Sequence, residues 1–211
     1  MITIEEKINC VLVIEEALIP NAFDIKIELI PNNSTQKNYN IALERIHVLL
    51  KQVIDDSVLI GAESVYLFNQ ALGFKGIVHT FPDEPYDQMI AMCLYTKLSA
   101  ILRNVFFVDR VSITSIQGHN ITHSFDSEHD EDQNILREVI GDSDLDEFVD
   151  YWHNTDLNYF VLEANGIKLK EDKWEDFKLN YVDESSKMNN VTRFKPRLVS
   201  DNDLDKDNDE T

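Results

Sequence analysis

The sequence predicts an α+β fold: a mostly antiparallel sheet packed with two principal helices, followed by small C-terminal helices and a disordered acidic tail. Three observations lead there. Short runs of alternating apolar and polar residues recur between turn-forming residues. Two longer stretches, 36–55 and 89–102, carry helical apolar patterns. The order of elements, ββα, short elements, βαββ and then small helices, keeps strands next to strands.

Residues 8–16 and 24–30 read as the first two strands. In the second, Ile25, Ile27 and Leu29 share a face, and Pro20-Asn21-Ala22-Phe23 reads as the hairpin connection. A helix follows over 36–55, because Ala42, Ile46, Leu49, Leu50 and Val53 recur at the spacing of one buried face. Asp55-Asp56 suits the negative end of a helix dipole poorly, which argues for an earlier end. Val58-Leu59-Ile60 reads as a short strand, Tyr66–Leu72 as a helical turn or two, and Gly76–Phe81 as another strand.

The second principal helix has start signals in Asp83, a candidate cap, and in Glu84 and Pro85. Its body, Met89–Leu102, is apolar on almost every side, which places it at the centre of the core. Val105–Ile116 reads as a long strand with Val105, Phe107, Val111 and Ile113 inward. Gly118-His119-Asn120 then turns into a strand over 121–125. Ile135, Leu136, Val139 and Ile140 suggest one small helix, and Leu145, Phe148, Val149 and Trp152 another. Beyond Tyr159–Leu162 no period is convincing, although Trp174, Phe177 and Tyr181 offer anchors. The expected organisation is a core domain over 1–125, an acidic, partly helical extension over 126–182 and a flexible tail over 183–211.

Charge placement supports that division. The chain has 211 residues and a formal net charge of −20. Residues 126–150 hold eleven acidic residues and one basic residue, Arg137, and residues 201–211 hold six acidic residues and Lys206. Those two segments carry −15 of the −20, so the rest of the chain is close to neutral. Such acidity argues against direct binding to a nucleic-acid backbone, which needs clustered Lys and Arg. At 43% hydrophobic the chain can build a core. Its two cysteines, Cys10 and Cys93, are too few for a disulfide framework or a cysteine-built zinc site. The start of the chain has no basic n-region, and no stretch approaches a membrane span. A cytoplasmic protein without a leader or membrane contact is therefore expected.

Candidate sites are few. His119 and His123, with Asp126, Glu128, His129 and Asp130 close behind, are chemically sensible ligands for zinc, manganese or iron and would serve a metal-dependent hydrolase. Two imidazoles on a hairpin are the commoner meaning, so no metal or other cofactor is expected. Asp142, Asp144 and Asp146 match the first positions of an EF-hand loop, but Glu147 stands where glycine is required and His153 where the closing glutamate belongs. Asp142, Asp144, Asp146 and Glu147 are read instead as acidic surface. Asp83, Glu84 and Asp87 could pair for acid–base work, but at a helix start they read as capping groups. Glycine-rich phosphate loops, the nucleophile elbow and H-E-x-x-H are absent. The basic, aromatic-containing stretch Arg193-Phe194-Lys195-Pro196-Arg197-Leu198-Val199 reads as a docking segment anchored by Phe194 and Leu198, with Arg193, Lys195 and Arg197 supplying charge. Opposite charge also suits it to the chain's own segment 126–150.

Glu84-Pro85-Tyr86-Asp87-Gln88, followed by Lys97-Leu98 and Ile101, together with Asn40-Ile41-Ala42-Leu43-Glu44-Arg45-Ile46, resembles small uncharacterised accessory proteins of T4-like tailed bacteriophages. The likeness covers residues 1–125 and 193–199. It implies a phage accessory protein acting in host cytoplasm, and it carries over no catalytic residue. The function expected is a non-enzymatic acidic interaction protein that binds a host or phage protein. The alternatives are an acidic mimic of nucleic acid, which would use the concentrated charge of 126–150, and the hydrolase around His119 and His123.

Overall fold

A computed structural model describes residues 1–64, 76–126, 150–163, 166–177 and 179. Among the described residues, an eight-stranded mixed sheet, mostly antiparallel, carries two α-helices, as the α+β expectation requires. Its strand order is β6-β5-β2-β1-β3-β4-β7-β8. The strands β1 (Ile2–Ile14) and β2 (Ala17–Pro31) form a long hairpin. The tip is Glu15-Glu16, both at positive φ (47° and 65°), and not the expected Pro20–Phe23. Two left-handed residues match the right-handed twist of the flanking strands. Pro20 instead lies within β2 opposite Val11. The pairing of β2 with β5 begins only at Phe23, so the missing N–H of Pro20 falls where β2 has a free edge.

Helix α1 (Gln36–Val48) is capped by Thr35, whose side chain accepts from the Asn38 N–H. A π-helical turn, Leu49–Ile54, extends it to the expected length and buries Leu49, Leu50, Val53 and Ile54. Asp55 then leaves the helix. Its Oδ1 accepts from the Asn9 N–H at 2.7 Å and its Oδ2 pairs with Lys51 at 3.6 Å, so its carboxylate answers β1 and a lysine rather than the helix dipole.

The strands β3 (Val58–Gly61) and β4 (Gly76–Phe81) run parallel to β1 in the middle of the sheet. Leu59 joins the main core, while Val58 and Ile60 pack with Val13, Val78, Phe160 and Leu162 on the other face. Burial on both faces explains why β3 shows no alternation. The helical turn or two expected over Tyr66–Leu72 falls outside the described residues.

Helix α2 (Asp87–Leu102) crosses the core as expected, with Ile90, Leu94, Leu98 and Leu102 buried. It starts later than its sequence signals imply. Tyr86 occupies the cap position without a side-chain hydrogen bond, and the Asp83 carboxylate accepts from the Glu84 N–H within its own loop.

The strand β5 (Phe106–Ser115) corrects one face assignment. Phe106 and Val108 are buried and Phe107 is 52% exposed, whereas Val111 and Ile113 face inward as expected. The cause is a bulge: Glu28 pairs with Arg110 but Leu29 pairs with Val108, so Asp109 is an extra residue that reverses the alternation. The turn at Gly118-His119-Asn120 leads into β6 (Thr122–Asp126) as expected. On the outer face, Lys7–Asp24, Lys26–Glu28 and Arg110–Asp126 form ion pairs across or along β1, β2, β5 and β6.

The small helices expected over 135–149 lie outside the described residues, as does the tail from 180 onward. A hairpin absent from the sequence reading, β7 (Leu157–Glu163) and β8 (Gly166–Asp172), joins the sheet through β4. Trp152 is fully buried against Phe81, with its Nε1 donating to the Thr80 carbonyl at 2.7 Å. Trp174 docks as expected. Its Nε1 donates to the Thr155 carbonyl, and the Arg45 guanidinium lies 5.1 Å from a ring centroid.

Candidate functional site

Only two charged residues, Asp87 and Lys97, interrupt the apolar sequence of α2, and both are buried. Burial of a charge is costly unless other groups compensate it. The two are compensated in opposite ways, and that contrast separates an anchor from a candidate site.

Lys97 is saturated. Its Nζ donates to the carbonyls of Tyr151 and Asn154 at 2.8 Å and of Asp156 at 2.5 Å, and lies 3.8 Å from the centroid of the Tyr151 ring. A lysine with three rotatable donors suits three converging carbonyls. The residue ties the segment before β7 to the central helix. Beside it, His79 of β4 is 1% exposed. Its Nε2 meets the Val53 carbonyl at 2.9 Å, its Nδ1 has no partner, and the rings of Tyr151, Trp152 and Tyr159 surround it. Burial pushes its pKa down from 6.5 to about 4, and the Lys97 charge adds to that, against the opposing effect of the Val53 bond.

Asp87 is compensated only in part. It begins α2 and is 5% exposed. Its Oδ1 accepts from the Ser115 hydroxyl at 2.8 Å, and the Ser115 oxygen in turn accepts from the Gly118 N–H at 2.9 Å. Its Oδ2 is buried and has no hydrogen-bond partner. Burial pushes the carboxyl above its usual range, while the Ser115 bond and the nearby His123 pull the other way. Because β1, β4 and β5 run in the same direction, the C-terminal ends of these strands meet at this place. In open sheets with parallel strands, ligand crevices form at such ends.

Two adjoining cavities occupy it, sharing Tyr86, Gln88 and His123 as walls. The inner one, about 190 Å³, is lined by Asp87, Gly118 and Gln117 with Leu12 and Ile14 behind. The outer one, about 460 Å³, has an apolar floor of Met89, Met92 and Phe125 and a rim of Asp83 and Glu84. Glu84 is held by the Glu15 N–H at 3.0 Å and accepts from the Tyr86 hydroxyl, which raises that phenol above its ordinary range.

Gly118 is required here for space. A Cβ on it would stand 2.3 Å from Asp87 Oδ2 and 3.2 Å from Ser115 Oγ. Gly118→Ala is therefore expected to destabilise the chain by about 1–3 kcal/mol, the usual penalty for overpacking. Added to Asp87→Ser, which removes the clashing oxygen, it should cost less than half as much. A double-mutant cycle by urea denaturation checks both values.

His119 and His123 do not share a strand face. His119 sits in the turn at φ 56° and is exposed, while His123 lies half-buried on β6 against the crevice. Among the described residues, no three His, Cys, Asp or Glu side chains gather to hold a metal ion. The thiols of Cys10 and Cys93 are buried, the first pushed up to about 12 and the second well above its ordinary value. Asp142, Asp144, Asp146 and Glu147, and Arg193, Phe194, Lys195, Arg197 and Leu198, lie outside the described residues. Among the described residues no helix is long and apolar enough to cross a membrane.

Sequence reasoning assigned Asp87 a capping role and overlooked Lys97 and His79. A signal existed for the first two, since they are the only charges in a sixteen-residue apolar helix. For His79, inside a strand of mixed pattern, no comparable signal exists. No family model matches the chain, and no curated protein matches it.

Proposed function

We propose that the chain is a non-enzymatic acidic interaction protein that binds a basic protein partner through the crevice at the strand ends. The observation that carries this reading is the lining itself: Asp83 and Glu84 stand beside Met89, Met92 and Phe125 in the outer cavity, and Asp87 lines the inner one. Such a surface offers burial to an apolar side chain and attraction to a cation beside it. The net charge of −20 adds a long-range field that favours encounter with basic proteins. Ser115 is buried, and both cysteine thiols are buried and held in their protonated form, which also favours binding over nucleophilic catalysis. The basic stretch 193–199 is a second proposed contact, and the sequence resemblance to bacteriophage accessory proteins favours a host or phage protein as the partner.

A nucleic-acid mimic is the competing reading, favoured by the charge of −10 on residues 126–150. Competition separates the two. The recovered partner is bound to the chain in the presence of saturating duplex DNA or RNA. A ternary complex is expected for an interaction protein whose crevice leaves the partner's nucleic-acid groove free. Full displacement, together with loss of binding when Asp142, Asp144, Asp146 and Glu147 are neutralised, would establish the mimic instead.

A further inference from the structure

We infer that the outer cavity is the docking site of this chain's own basic stretch, residues 193–199, which covers it in the free chain and which a partner must displace. This rests on the crevice being a binding surface and names how that surface is regulated. The cavity opens to solvent: Asp83, Tyr86, Gln88 and Ser124 on its walls are exposed, and Met89, Met92 and Phe125 are half-buried. Its acidic side extends beyond its own lining. Glu84 accepts from the Glu15 N–H at 3.0 Å, which brings the hairpin tip beside it, and the charges of Glu84, Glu15 and Asp83 all act on the Tyr86 hydroxyl. No lysine or arginine lines the cavity, and among the described residues none of those three carboxylates has an ion-pair partner.

The stretch has the complementary chemistry. It holds Arg193, Lys195 and Arg197 and no acidic residue. Pro196 opposes a helix and suits an extended backbone. In an extended backbone side chains alternate, so the three basic residues fall on one side and Phe194, Pro196 and Leu198 on the other. The cavity has the same two sides, carboxylates at Asp83 and Glu84 and apolar groups at Met89, Met92 and Phe125. Methionine side chains adapt to aromatic and aliphatic anchors alike.

The chain is long enough to make the contact. Leu179 is fixed in the main core, and fourteen residue steps separate it from Arg193. They reach up to about 46 Å when extended, whereas a compact domain of this size is roughly 40 Å across. A tethered segment meets its site at an effective concentration on the order of millimolar, so a weak contact keeps the crevice covered. A displaced stretch is then free for its second contact with the partner.

A nitroxide on Ser200→Cys tests the contact in the full chain. Cys10 and Cys93 are buried, so the label goes to the new thiol. Amide signals of the ¹⁵N-labelled protein are compared with those carrying a diamagnetic analogue of the label. Gln88, Met89, Ser124 and Phe125 are expected to lose most of their intensity. Phe194→Ser/Leu198→Ser and, separately, Asp83→Lys/Glu84→Lys should each restore it. Segment 126–150 also attracts the stretch by charge. Broadening confined to residues 127–149, broadening spread evenly over the surface, or crevice broadening unchanged in both variants would overturn the inference. If the label leaves the crevice untouched while Asp83→Lys/Glu84→Lys abolishes capture of a protein partner, the docked stretch is refuted and the interaction reading stands. If the stretch docks and capture is indifferent to that reversal, the stretch is the crevice's occupant and the interaction reading falls.

Discussion

Replacing Lys97 with methionine is expected to destabilise the chain by about 3–5 kcal/mol, the range found when one member of a buried charged network is removed. Methionine fills most of the volume, so little of the loss comes from a cavity. It comes from the carbonyls of Tyr151, Asn154 and Asp156, which lose a shared donor, that of the buried Tyr151 at the greatest cost. The cation over the Tyr151 ring is lost as well. For a chain of this size the melting temperature should drop by about 10 °C or more. Arginine should not rescue it, because its planar fork cannot aim three donors from one point. Gln52→Met, on the exposed side of the π-helical turn, is the control and should stay within about 0.5 kcal/mol. Thermal and urea unfolding of the three variants against the parent measure these differences.

The second large effect is a loss of stability in acid that runs through His79. Its folded pKa of about 4 lies below the unfolded value of 6.5, so between those values the unfolded chain holds more protons than the folded one. Stability from this group is therefore full above about pH 6.5, declines as the pH falls, and is flat again below about pH 4. The total is about 3 kcal/mol, at 1.36 kcal/mol per unit. Asp87 works in the opposite direction. Its raised pKa means that the folded state takes up a proton more readily, so its contribution to stability improves as the pH falls through its folded value. The His79 component is isolated by His79→Gln, whose amide can still donate to the Val53 carbonyl but does not titrate. The parent and the variant should diverge in slope between pH 4 and 6.5 and run parallel above that window. Parallel curves throughout would remove His79 as the acid-sensitive group.

Where the sequence pattern was strong, the element was legible. Gly76–Phe81 is β4 to the residue, and the apolar body of α2 is buried as its composition implies. The misreadings share a physical origin in features that leave no compositional mark. Glu15-Glu16 forms a tight turn without the Asn or Gly that such turns favour, while Pro20 looked like a turn and is accommodated at a locally free edge. The bulge at Asp109 reverses the facing of Phe107, and nothing in an alternating run announces an extra residue. The β7–β8 hairpin did have a signal, the Asn165-Gly166 dipeptide between Tyr159–Leu162 and the alternating Ile167–Lys170 run.

For the candidate site, the residues were visible but their meeting was not. Asp87, Ser115, Gly118 and His123 come from a helix start, a strand end, a turn and the next strand, and only the sheet order brings them together. The helix-start motif made capping the natural assignment for Asp87. What the motif could not show is that the cap position belongs to Tyr86 and that the carboxylate turns inward to Ser115.

The most direct test of the acidic crevice as a protein-binding surface is quantitative affinity purification with mass spectrometry, run in parallel on the unaltered chain and on Asp83→Lys/Glu84→Lys. Asp83 is exposed, but Glu84 is half-buried and holds the Glu15 N–H at 3.0 Å, so circular dichroism and thermal unfolding of the reversed chain establish that it is folded before the comparison is made. A basic protein enriched by the unaltered chain, and reduced at least tenfold by the reversed one, is the expected result. Enrichment of the same partner by both chains would contradict a crevice-borne interaction, as would the absence of any specifically enriched protein.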